Sequence, residues 1–171
     1  MFYTLCVTSN ILRLSAMIGL IETIQTQAQA KDMSDETVLG LRLAPDMFPF
    51  SKQIQIMTDN AKGMAARLGG KEIPVYEDSE ATLDELKARL QKTIDFLNTF
   101  TKEDFVGAET REARFPYFPN MHMVGERYLT EYALPNFLFH TTTAYNILRN
   151  HGFEIGKKDF MQSLPLIPDT V

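Results

Sequence analysis

Leu83, Leu86, Leu90, Ile94 and Leu97 recur at intervals of three and four residues, directly after Thr82. No other feature constrains the fold as strongly. Residues three and four apart share one face of an α-helix. Thr82-Leu83-Asp84-Glu85 has the form of a capping box, in which the threonine and glutamate side chains satisfy backbone donors left orphaned at a helix start. The segment therefore predicts a helix ending near Thr99, whose apolar face must be buried against other elements.

The same spacing recurs elsewhere. Ile11, Leu14, Ile18 and Ile21, widened by Met17 and Ile24, lie in a proline-free stretch from Tyr3 to Ala30. Lys31 to Asp35 then turns polar and predicts a connection. Ile54, Met57, Ala61, Met64 and Leu68 make a further stripe. It starts near Pro49, a residue tolerated in a first turn, and stops at Gly69-Gly70, where glycine suits the left-handed end of a helix. Lys71 to Asp78 reads as a loop, and Thr101 to Phe105 as a short extra turn.

A last helix is expected from Gly125 to Asn150, with Leu129, Tyr132, Asn136, His140, Thr143 and Ile147 on one face. Pro135 lies inside it and predicts a kink. Gly152 follows as a cap, and from Phe153 onward an extended tail is expected. Between the third and last helices, Pro116, Pro119 and Asn120 punctuate an aromatic stretch from Gly107 to Val124. This stretch reads as an irregular hairpin, serving as a flap over the core or as an interface. Four helical segments and no set of alternating strands specify an all-α, antiparallel four-helix bundle, expected as one domain over residues 1–171.

Composition narrows the function. With 171 residues, 44% of them hydrophobic and 23% charged, the chain can bury a continuous core. A formal charge of -5 leaves no basic footprint for nucleic acid. The single cysteine, Cys6, rules out an intramolecular disulfide and reads as a buried, inert thiol. Leu5 to Ile24 is apolar, but no lysine or arginine precedes it, and Asn10, Arg13 and Glu22 interrupt it. A signal peptide or membrane span is therefore not expected, and a cytoplasmic location is.

Phosphate-binding loops, dinucleotide fingerprints, Gly-x-Ser-x-Gly and His-Glu-x-x-His are all missing. Any site must be assembled from scattered residues. Of the three histidines, His140 and His151 would stand roughly 16 Å apart along one helix, too far to share a metal held at about 2 Å. His122 falls in the excursion. His140, one turn after Asn136 and beside Phe139, can be a metal ligand, a general base or a satisfied core group. Asp59 points almost opposite the main stripe of its helix, where it can bond Gln55 or Lys62.

Three motifs carry a resemblance. They are Leu41-Arg-Leu-Ala-Pro-Asp-Met-Phe-Pro-Phe50, then Gln53-x-Gln55-x-x-x-Asp59-x-Ala61-Lys62-Gly63, and Ala133-Leu-Pro-Asn-Phe-Leu-Phe-His140-Thr-Thr-Thr-Ala-Tyr145. Together they resemble an uncharacterised-domain family similar to the DinB/YfiT-like metalloenzymes, over about residues 3 to 160. The resemblance implies a four-helix bundle, often a homodimer. It also implies a divalent metal, nickel or zinc, held by a histidine on the second helix and a His-x-x-x-His pair on the fourth. Some members of that superfamily are thiol-dependent transferases or isomerases. His140 matches the first histidine of the pair, but Ala144 stands where the second would be, and Asp59 is the nearest candidate on the second helix. A weak or absent metal is thus expected, with Asp59 and His140 as ligands or proton carriers and Asn136 orienting a ligand or water. The competing expectation is a non-catalytic dimer whose inter-helix cavity holds a small apolar molecule, motivated by 12 phenylalanines and 9 methionines.

Overall fold

A computed structural model describes residues 1–162 together with Leu166 and Ile167. A π-helical segment, Thr4–Thr8, runs directly into α1 (Ser9–Ala30). By length and composition this helix could cross a membrane. In the fold it packs along the bundle, and Leu14, Met17, Leu20, Ile21 and Ile24 are buried. Ile11 and Ile18, part of the expected stripe, are only half-buried. The helix is apolar on nearly every side, so its neighbours and not its periodicity select the buried line.

Ser34 accepts a hydrogen bond from the Thr37 N–H and caps a short helix, α2 (Asp35–Leu39), which no apolar period announces. Pro49 is the N-cap of α3 (Phe50–Gly69), and Gly70 ends it in the left-handed conformation at φ 71°. Both halves of the Thr82 capping box form at the start of α4 (Leu83–Leu97): the Glu85 N–H donates to Thr82 Oγ1 at 3.2 Å, and the Thr82 N–H donates to Glu85 Oε2 at 3.1 Å. Glu103–Phe105 forms a 3₁₀ turn.

The excursion is a small antiparallel hairpin. In it β1 (Glu112–Arg114) pairs with β2 (His122–Val124), with Ala113 opposite Met123. The last helix has three parts: α5 (Gly125–Arg127), a π-helical segment Tyr128–Ala133, and α6 (Leu134–Asn150). Pro135 has no N–H to give the preceding turn, and the widened π segment ends just before it. The expected extended tail is corrected in part. Lys157–Met161 forms a further helix, α7, tied to α1 by Arg13, which donates to the Phe160 carbonyl at 3.0 Å. Phe160 also packs edge-on against Tyr145, so a tertiary contact stabilises this turn.

Four long helices, α1, α3, α4 and α6, make the bundle, with α3 packed on both α4 and α6, and α1 on α4. Side-chain pairs fix their directions. Gln53 meets His140, Asn60 meets Asn136 and Arg67 meets Tyr128, so α3 and α6 are antiparallel. Gln25 near the end of α1 meets Asp84 at the start of α4, so this pair is antiparallel too. Between α3 and α4, Thr58 meets Arg89 and Lys71 meets Thr99, so these two run in the same direction. The crossover from Lys71 to Ala81 makes this possible by returning the chain along the bundle. Gly125 lets the last helix start against the chain before the hairpin: a Cβ there would lie 1.9 Å from the Ala108 carbonyl oxygen.

Candidate functional site

His140 projects from α6 toward α3, where its Nδ1 lies 2.7 Å from Gln53 Oε1. The Gln53 amide nitrogen donates in turn to the Phe48 carbonyl at 3.1 Å. An amide oxygen only accepts, so Nδ1 carries the ring proton and Nε2 keeps its lone pair. Burial holds His140 below the ordinary imidazole range, which favours this neutral form. Nε2 makes no hydrogen bond among the described residues, yet it is not among sealed, unsatisfied atoms. His140 lines a cavity of about 180 Å³ with Asp46, Met47, Phe48, Gln53 and Phe139.

Asn136, one turn earlier on the same face, donates from Nδ2 to Asn60 Oδ1 at 2.9 Å. The Asn60 amide donates to the Ile56 carbonyl at 3.0 Å. These paired amides border a second cavity, of about 530 Å³, whose walls include Tyr76, Phe115, Tyr128 and Tyr132. Tyr128 and Tyr132 come from the π segment, stacked with ring centroids 6.1 Å apart. Arg67 closes one side, its guanidinium 4.9 Å from the Phe115 ring centroid, and donates to the Arg114 carbonyl at 3.1 Å and to Tyr128 Oη at 3.4 Å. Burial raises the Tyr128 hydroxyl above its ordinary range, against the opposing pull of Arg67. Tyr128 is therefore neutral at physiological pH.

Asp59 belongs to a third arrangement. Its carboxylate bonds Lys62 at 2.8 Å and Arg89 at 3.1 Å, and its side chain is 46% exposed. The expected contact with Lys62 thus forms, whereas Gln55 turns to Glu80 at 2.9 Å. Buried Arg89 donates to Thr58 Oγ1 at 2.7 Å, the Glu77 carbonyl at 2.8 Å, Glu80 at 2.9 Å and Asp59 at 3.1 Å, and pairs with Asp78 at 3.0 Å. Tyr76 covers this cluster, with Lys62 Nζ 3.8 Å from its ring centroid. The cluster pins the crossover to α3 and α4.

The fold therefore brings His140 to Gln53 and Asn136 to Asn60, but does not bring Asp59 to His140. The two line different cavities. Gln53 and Asp59 are about 9 Å apart along the α3 axis at 1.5 Å per residue. Among the described residues, no three His, Cys, Asp or Glu side chains converge as a metal site. The ligand set implied by the resemblance does not fit, because Ala144 has no donor and α3 offers His140 an amide in place of a second ligand. Gln53 was visible in the second motif, but only helix-to-helix register shows that it, and not Asp59, is the partner.

His122 lies on the exposed hairpin, 3.6 Å from Glu112. His151 turns back to the Ile147 carbonyl at 2.8 Å. Cys6 is buried, and burial pushes its thiol up to about 12, so it is protonated and unreactive at neutral pH.

A family model described as "Domain of unknown function (DUF1993)" matches residues 2–161. The chain is a member of the DUF1993 family. A crystal structure of a DinB family member protein from Shewanella denitrificans is similar to it at 35% identity and a TM-score of 0.93, covering 98% of this chain and 95% of that one. This DUF1993 member is thus a DinB-like, mainly helical protein. No curated protein matches it.

Proposed function

We propose that this DinB-like protein is a non-catalytic small-molecule binder that uses the tyrosine-lined cavity between α3, the crossover and the π segment. The observation that carries the reading is the cavity itself: about 530 Å³, aromatic walls, and the Asn60–Asn136 amide pair at its border. Binding sites are typically concave and mostly apolar, with a few placed polar groups, over roughly 300–1,000 Å³. A π-helical segment, common at functional positions, supplies two of the walls. The occupant that fits is a flat, apolar-bodied molecule with polar groups to meet the amides and the charged Asp59, Lys62 and Arg67 that also line the cavity. A metal-dependent or thiol-dependent transferase or isomerase draws less support, because the residues around His140 do not form the ligand set such chemistry needs.

Native mass spectrometry of the purified protein, followed by a small-molecule thermal-shift screen, tests this reading. Bound aromatic or heterocyclic compounds are expected, with binding lost in Asn136→Phe, which fills the cavity. Equal binding by the wild type and a folded Asn136→Phe would place the site elsewhere.

A further inference from the structure

The smaller cavity at His140 is chemically one-sided. Two side chains on its lining offer free acceptors: the Nε2 lone pair of a neutral imidazole, and the carboxylate of Asp46, which makes no ion pair among the described residues. The Gln53 oxygen accepts from His140, and one of its amide N–H groups donates to the Phe48 carbonyl. No lysine or arginine lines the cavity, and Arg42 on the same loop is held by the Met47 carbonyl. Phe48 and Phe139, both lining residues, are each 55% exposed. Aromatic faces carry negative quadrupolar charge and attract cations. The Asp46 carboxylate, the His140 lone pair and the two rings favour an occupant that donates hydrogen bonds and carries positive charge.

We propose that this cavity binds a small organic ammonium, whose N–H groups donate to His140 Nε2 and the Asp46 carboxylate while its alkyl part lies against Phe48 and Phe139. The Phe48–Gln53–His140 relay holds the imidazole in the tautomer that leaves Nε2 as the acceptor. A volume of about 180 Å³ suits a short-chain amine. The site is separate from the tyrosine-lined cavity and does not depend on that cavity having a ligand.

The test is a long-range ¹H–¹⁵N spectrum of the histidine rings in the full chain at pH 8, titrated separately with n-propylammonium chloride, 1-propanol and zinc. The free protein should show His140 protonated at Nδ1 and bare at Nε2. Propylammonium should shift the Nε2 resonance saturably, and 1-propanol should not. Asp46→Asn, at an exposed loop position that leaves the core intact, should weaken the effect about fivefold, as loss of a partly screened ion pair would. An unprotonated Nδ1, no saturable shift, an equal shift with 1-propanol, or stoichiometric zinc capture at Nε2 would each overturn the proposal. Unchanged propylammonium binding in Asp46→Asn would overturn it as well.

Discussion

Arg89→Met removes the clasp that holds the crossover to the parallel α3–α4 pair. The native guanidinium has a side-chain exposure of 2%, makes four hydrogen bonds, two of them to carboxylates, and forms a further ion pair with Asp78. Breaking a buried ion pair on one side commonly costs about 3–5 kcal/mol, because the remaining charge is stranded. Here each carboxylate keeps another partner: Asp59 keeps Lys62, Asp78 keeps Lys52 and Glu80 keeps Gln55. Asp59 and Asp78 are also 46% and 36% exposed, so water screens much of the loss. Methionine retains some of the packing under Tyr76. The expected cost is therefore about 2–3 kcal/mol, below the range for a fully stranded charge. For a chain of this size that corresponds to a fall of about 4–12 °C in Tm, at roughly 2–4 °C per kcal/mol. Urea melts of wild type and variant measure it, and hydrogen exchange should rise across residues 71–81 more than in α6. A variant as stable as the wild type, or one whose crossover stays equally protected, would refute the clasp.

Gly125→Ala should cost more than about 3 kcal/mol, because the added carbon meets the Ala108 carbonyl oxygen at 1.9 Å and the Leu68 side chain at 3.0 Å; chemical denaturation with a normal midpoint would contradict this. His140 resists protonation in the folded state, so only the unfolded chain gains a proton as pH falls below the ordinary imidazole value of about 6.5. Stability should fall from there until pH passes the lowered native value, and His140→Gln should flatten that slope in pH-dependent urea melts. Burial alone would raise Asp78, but Lys52 and Arg89 outweigh it and hold the carboxyl below its ordinary range. The contribution of Asp78 is therefore present above about pH 4 and lost as pH falls toward the native value, and Asp78→Asn should remove that acid limb. Tyr117, Phe118 and Met121 are 74%, 58% and 65% exposed at the hairpin, beside an apolar cavity of about 280 Å³. Self-association through this surface is expected, with Phe118→Asp shifting sedimentation toward monomer; a wild type that is monomeric at micromolar concentration would refute it.

Much of the fold is written in local signals. The Thr82 capping box, the Pro49 start and the Gly70 stop act within a few residues of backbone, so their chemistry is complete in the sequence. The apolar stripes of α3 and α4 likewise announce buried faces. In α1 the same reasoning names the helix and the buried Leu14, Met17, Ile21 and Ile24, but it cannot tell the half-buried Ile11 and Ile18 from the equally apolar, fully buried Leu20. The motifs also singled out Asn136 and His140, and the fold gives each a partner on α3.

Partner identity was decided only in three dimensions. Nothing local makes Gln53 the neighbour of His140, sends Asp59 to Arg89, or allows an arginine to be buried in α4. The parallel run of α3 and α4 and the docking of α7 on α1 depend equally on contacts far apart in the chain. Helix formation is governed by bonds spanning four residues and by an apolar period, both legible along the sequence. A hydrogen-bond partner depends on the rotation and register of one helix against another, and these are set only when the whole core packs at once.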